Sequence, residues 1–118
     1  MLKTIPELMA EVGPSVRKTT AEEAYKSLRD EPAVFVDVRE PAEAAGQPIS
    51  GSINIPRGVL EMKIRDLCPQ ADSRIFVHCA SGIRASLAVE QLQRLGYTNA
   101  TAISCAAGTI CSMQENHG

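Results

Sequence analysis

At Cys79 the hydrophobic period of the chain changes, and this change limits the possible folds more than any other feature. Ile75, Phe76 and Val77 form a short apolar run of the length and composition of a buried strand. From Ile83 onward the apolar residues recur as Ile83, Leu87, Ala88, Leu92 and Leu95, a spacing that lays them on one helical face. Gly96 follows the last of them and stops the helix. The stretch Val77-His78-Cys79-Ala80-Ser81-Gly82-Ile83-Arg84-Ala85-Ser86 is therefore a strand, a turn and a helix onset, with Cys79 in the turn.

Strand and helix patterns alternate along the whole chain. Thr4 and Glu7 bracket a capping box with Pro6 in the first turn, opening a helix to about Val12 that Gly13-Pro14 ends. Residues 16–18 suit a short strand. Thr20 and Glu23 form a second capping box before a helix whose Ala21, Ala24, Tyr25 and Leu28 share a face. Residues 33–38 read as a fully buried central strand. Glu40-Pro41-Ala42-Glu43-Ala44 reads as a short helix with proline in its first turn. After a turn at Ser50-Gly51, a strand over 53–55 leads through Pro56-Arg57-Gly58 into a helix carrying Leu60, Ile64 and Leu67. Cys68-Pro69 ends it, and a last strand covers 100–104. Helices that repeatedly return the chain to the same sheet predict an α/β domain. We expect a mainly parallel sheet of about five strands with helices on both faces.

Ligands of such sheets bind beyond the carboxyl ends of the strands, which is where Cys79 lies. The first amides of a helix lack intrahelical partners and carry the positive end of its dipole, so they form a seat for an anion. Thiols in such surroundings fall from about 8.5 to roughly 3.5–7.5 in pKa and become nucleophiles at neutral pH. Arg84 adds a permanent charge at the rim of the loop. Asp37, near the end of the central strand, is too costly to bury alone and predicts a partner such as Arg39 or backbone amides.

Length and composition narrow the function. The chain has 118 residues, enough for one domain that buries roughly two-thirds of its unfolded surface. A net charge of -2 with no basic run argues against nucleic acid as a partner. No secretory pattern opens the chain and no run of apolar residues is long enough to span a bilayer, so a cytoplasmic protein with no membrane association is expected. Reduced thiols are the default there. Cys68, Cys79, Cys105 and Cys111 include no pair two residues apart, so no structural metal site is expected.

With these residues assembled, Cys79-Ala80-Ser81-Gly82-Ile83-Arg84 resembles the active-site loop of single-domain rhodanese-like sulfurtransferases. Val36-Asp37-Val38-Arg39-Glu40-Pro41 is similar to that family's aspartate-x-arginine strand end. Ile49-Ser50-Gly51-Ser52-Ile53-Asn54-Ile55-Pro56 is similar to its glycine-alanine-x-asparagine-x-proline segment. The resemblance covers about residues 16–113, leaving 1–15 as an N-terminal helical extension and 114–118 as a polar tail. It implies a rhodanese-like fold and sulfane-sulfur transfer through a persulfide on Cys79, with Arg84 as its catalytic partner. It further implies that Ala80, Ser81, Gly82, Ile83 and Arg84 bind the substrate and that Asp37 and Arg39 support the site. The implied partners are a small anionic sulfur donor such as thiosulfate, or a persulfide, and a thiol or protein acceptor. No cofactor is implied.

The chain departs from the family pattern in two places. Pro48 stands where many members carry a histidine, and residues 105–113 keep one glycine of the usual pair and lack the usual tryptophan. That tail instead carries Cys105 and Cys111, either of which is a candidate resolving thiol for a persulfide on Cys79. Phosphatases and arsenate reductases of the same fold place five residues between cysteine and arginine, whereas this chain has four. From another class, a binding or sulfur-relay module with negligible turnover of small donors remains an alternative.

Overall fold

The computed structural model describes residues 1–110. In chain order these form α1 (Ile5–Val12) with a following 3-10 turn (Gly13–Ser15), β1 (Lys18–Thr19), α2 (Ala21–Ser27) and β2 (Val34–Asp37). Next come α3 (Pro41–Gly46), β3 (Ser52–Asn54), a 3-10 turn (Arg57–Val59) and α4 (Leu60–Leu67). The series closes with β4 (Ile75–His78), α5 (Ile83–Leu95) and β5 (Ala100–Ile103). All strand pairs are parallel, in the order β1-β5-β4-β2-β3. The fold is the expected α/β architecture built on a five-stranded parallel sheet.

Local chemistry sets the helix starts. Thr4 Oγ1 accepts from the Glu7 amide at 3.2 Å and Glu7 Oε1 accepts from the Thr4 amide at 3.1 Å, completing the first capping box. At α2 the structure forms the forward half of the second box, Thr20 Oγ1 accepting from the Glu23 amide. α5 ends where Gly96 adopts φ 112°, a left-handed conformation that glycine takes without a Cβ penalty.

Alternation along the strands divides the core into two layers. Val36, Val38, Ile75, Val77, Ala100 and Ala102 face α4 and α5, packing with Leu60, Ile64, Ala88, Val89 and Leu92. Val12 of α1 joins that layer, so α1 covers part of this face. Phe35, Phe76 and Ile103 face the other way and pack with Ala21 and Ala24 of α2, Ile49, Ala107 and Ile110. Tyr25 stacks on Phe35 there, with ring centroids 5.0 Å apart. Both faces of the sheet are thus covered, as the near-continuous apolar strands require. No helix among the described residues is long and apolar enough to cross a membrane.

Several edges shift by a residue or two from the sequence expectation. The strand expected over 16–18 pairs at Lys18–Thr19, and the one expected over 53–55 pairs at Ser52–Asn54. Register explains both: Lys18 sits opposite Ala102 and Ser52 opposite Phe35, so the length of each short edge strand is fixed by its neighbour.

Candidate active site

The sheet delivers Cys79 to the carboxyl end of β4, one residue past His78. Cys79 is completely buried, and its Sγ accepts from the Gly82 amide at 2.9 Å and the Ala85 amide at 3.3 Å. These are donors at the start of α5, aimed at the position where negative charge on sulfur would sit. Gly82 makes the loop possible: its φ is 93°, and a Cβ there would lie 3.3 Å from the Ser104 carbonyl oxygen. The loop is pinned on its other side by the Ala107 amide, which donates to the Ala80 carbonyl at 3.1 Å.

The family resemblance implies a substrate-binding loop of Ala80, Ser81, Gly82, Ile83 and Arg84. The amides that bond to Sγ are those of Gly82 and Ala85, the latter one residue beyond that range. Ser81 and Ile83 are exposed at the rim, and Ala80 and Arg84 are partly buried.

Arg84 does not stand free over the loop. Its Nη1 and Nη2 donate to the two carboxylate oxygens of Glu43 at 2.6 and 2.8 Å, a bidentate pair. Glu43 lies in α3, and its Oε1 also accepts from the Glu40 amide at 3.0 Å. The Arg84 hydrogen bonds, with that amide, hold the Glu43 carboxyl down from 4.5 to about 2. Glu43 in turn raises the Arg84 guanidinium above its ordinary value, with smaller contributions of the same sign from Cys79 and Glu40. Sequence reasoning did not single out Glu43, because its partner lies 41 residues away and only the fold brings them together.

Asp37 and Arg39 form the buried scaffold beneath α3. Arg39 Nη2 donates to Asp37 Oδ2 at 2.7 Å and Nε donates to Oδ1 at 3.0 Å. The Arg39 amide also donates to Oδ1. The guanidinium then reaches carbonyls at the end of α3, Gln47 at 2.8 Å and Glu43 at 3.4 Å. Asn54 Nδ2 donates to the Asp37 and Arg39 carbonyls, tying β3 to the same strand end. This arrangement connects the end of β2 to α3, α3 through Glu43 to Arg84, and Arg84 to the loop around Cys79. Arg57 is paired with Glu61 at 2.7 Å.

His78 precedes Cys79 but points to the opposite face of the sheet, as strand alternation demands. It is fully buried, with Nε2 2.5 Å from Ser52 Oγ and Nδ1 3.8 Å from Asp37 Oδ1. Nδ1 has no hydrogen-bond partner among the described residues. Burial lowers its pKa from 6.5 to about 4; the Asp37 charge opposes that shift and Arg39 adds to it.

The other two thiols among the described residues lie elsewhere. Cys68 is buried in the α4 and α5 layer, and burial raises its pKa. Cys105 accepts from the Ala21 amide at 3.3 Å and packs with the layer on the far side of the sheet from the Cys79 core cluster. Cys111, the other candidate resolving thiol, lies outside the described residues. A shallow depression lined by Arg65, Pro69, Ala71, Leu95, Gly96 and Tyr97 is at the amino ends of β4 and β5, the opposite end of the sheet from Cys79.

A strand-to-helix loop that cradles a cysteine at the carboxyl end of a five-stranded parallel sheet suits one comparison. The family model described as Rhodanese-like domain matches residues 20–105. The chain belongs to the rhodanese-like domain family. Thiosulfate sulfurtransferase PspE of Escherichia coli K12 is 31% identical over 65 residues, covering 55% of this chain and 62% of its own length. The matches to the curated relatives span 57–64% of those proteins' lengths. Among solved structures, the human single-domain sulfurtransferase TSTD1 is 27% identical with a TM-score of 0.67, covering 77% of this chain and 91% of that one. A Rhodopseudomonas palustris protein of unknown function, RPA3614, described as a possible tyrosine phosphatase, has a TM-score of 0.84 at 24% identity. It covers 97% of this chain and 93% of its own, and at that identity the likeness concerns the fold.

Proposed function

We propose that this rhodanese-like domain moves sulfane sulfur from thiosulfate or a persulfide to a thiophilic acceptor, through a persulfide on Cys79. The observation that carries this reading is the Cys79 sulfur held by the Gly82 and Ala85 amides at the onset of α5. Four residues separate Cys79 from Arg84, one fewer than in the phosphatases and arsenate reductases of this fold.

The reaction has two displacements at sulfur. The Cys79 thiolate attacks the outer sulfur of thiosulfate, the bond to the inner sulfur breaks, and its electron pair leaves with sulfite. Cys79 then carries a persulfide. An acceptor, cyanide or a thiolate, attacks the terminal sulfur and the Cys79 thiolate departs. The Gly82 and Ala85 amides accommodate the negative charge as it passes between the two sulfurs, the role that oxyanion-hole donors perform for oxygen.

Complete burial of Cys79 favours one second reading, a sulfur-relay module that exchanges sulfur with a partner thiol and turns over small donors negligibly. Thiocyanate formation from thiosulfate and cyanide, measured beside aryl phosphate hydrolysis in wild type and Cys79→Ser, decides among the readings. The expected result is thiocyanate formation that Cys79→Ser abolishes, with no phosphate released. Phosphate release lost in Cys79→Ser, without sulfur transfer, would overturn the assignment in favour of a phosphatase.

A further inference from the structure

The charge at the mouth of the Cys79 loop is not what a lone arginine would supply. Arg84 is engaged by both oxygens of Glu43, and Glu40 contributes a further negative charge close enough to act on the same guanidinium. Arg39 and Arg57, at the same end of the sheet, are likewise paired with carboxylates, Asp37 and Glu61. Arg84, Glu43 and Glu40 together sum to one negative charge.

We propose that Glu43 is a specificity-determining residue whose carboxylate occupies the anion seat of Arg84, so that Cys79 selects singly charged or neutral persulfides over the thiosulfate dianion. This rests on the sulfur-transfer reading above and names the donor class of that site. With thiosulfate, three negative charges meet at the loop, one on the thiolate and two on the donor, and Arg84 is already neutralised. A neutral persulfide R–S–SH brings none. The thiolate attacks its outer sulfur, the S–S bond breaks, the electron pair leaves with R–S⁻, and the proton stays on the sulfur now bound to Cys79. The single negative charge, on Cys79 before the step, leaves with R–S⁻.

The pair has a competing interpretation as a strap that merely orients Arg84, and the two interpretations predict opposite signs for Glu43→Gln. Glutamine keeps an oxygen for the Glu40 amide and removes the charge, so α3 is retained. The probes are iodoacetate and iodoacetamide, one anionic and one neutral, with alkylation at Cys79 followed by peptide mass spectrometry. Persulfide loading of Cys79 is followed in parallel from thiosulfate and from the neutral persulfide of N-acetylcysteinamide.

In Glu43→Gln the iodoacetate-to-iodoacetamide rate ratio is expected to rise about threefold to tenfold. That gain should shrink as ionic strength rises. Loading from thiosulfate should rise with it, while loading from the neutral persulfide changes less than about twofold. A ratio that is unchanged or falls overturns the proposal and leaves Glu43 as a strap. Absence of loading from either donor, with the alkylation ratio still raised, retains Glu43 as the anion filter of Cys79 and refutes sulfur transfer instead.

Discussion

His78 stands next to Cys79 in sequence, yet it leaves the strand on the other face and packs against Ser52 and Asp37. Its folded pKa of about 4 lies below the 6.5 of an unfolded histidine. Between those values the unfolded chain binds a proton that the folded chain refuses, so stability falls as pH drops through that window. The loss reaches about 3 kcal/mol near pH 4 and then levels off, because both states are protonated below it. Denaturant titrations at pH 7 and pH 4.5 should show this loss in wild type and a smaller one in His78→Gln; equal losses would contradict the assignment. At this scale Cys79 and Arg84, the proposed nucleophile and its arginine, are singled out by the sequence itself, because a period change and a spacing of four mark them locally. Glu43 and Ala85 are not. The first meets Arg84 only across the folded α3 and α5, and the second contributes a backbone amide that no side-chain pattern advertises.

The elements around the loop are joined through Arg39. Its guanidinium lies between Asp37 at the end of β2 and the carbonyls that finish α3, and α3 carries Glu43 to Arg84. Arg39→Met would leave the Asp37 carboxylate buried without its counter-charge and release those carbonyls. We expect a loss of about 3–5 kcal/mol in stability by denaturant titration. Sulfur-transfer activity should fall with it at temperatures where the variant is still folded. A loss below about 1 kcal/mol would mean that α3 is held by other contacts. The need for a partner at Asp37 was readable from the cost of a buried carboxylate. The exact ends of β1 and β3 were not, since two or three residues carry too little pattern and take their limits from Ala102 and Phe35 on neighbouring strands.

For the whole molecule, β2, β4 and β5 contribute to both core layers, with Val36, Val77 and Ala102 on one side and Phe35, Phe76 and Ile103 on the other. Neither layer persists without the strands it shares with the other. Unfolding should therefore be one cooperative transition, with calorimetric and circular-dichroism midpoints that coincide. Separate transitions would mean that the two layers unfold independently. Alternating strand and helix patterns made the parallel α/β class legible, along with the end of the sheet that bears the site. The strand order was not, because each short apolar strand suits several neighbours and only the packed helices decide among them.

The central claim is that sulfur resides covalently on Cys79 between donor and acceptor. Its most direct test is intact mass of the wild type and Cys79→Ser after incubation with excess thiosulfate, then with cyanide. The account predicts a gain of one sulfur atom in the wild type only, mapped to the Cys79 peptide and discharged by cyanide. The same gain in Cys79→Ser, or none in the wild type despite thiocyanate production, would contradict it.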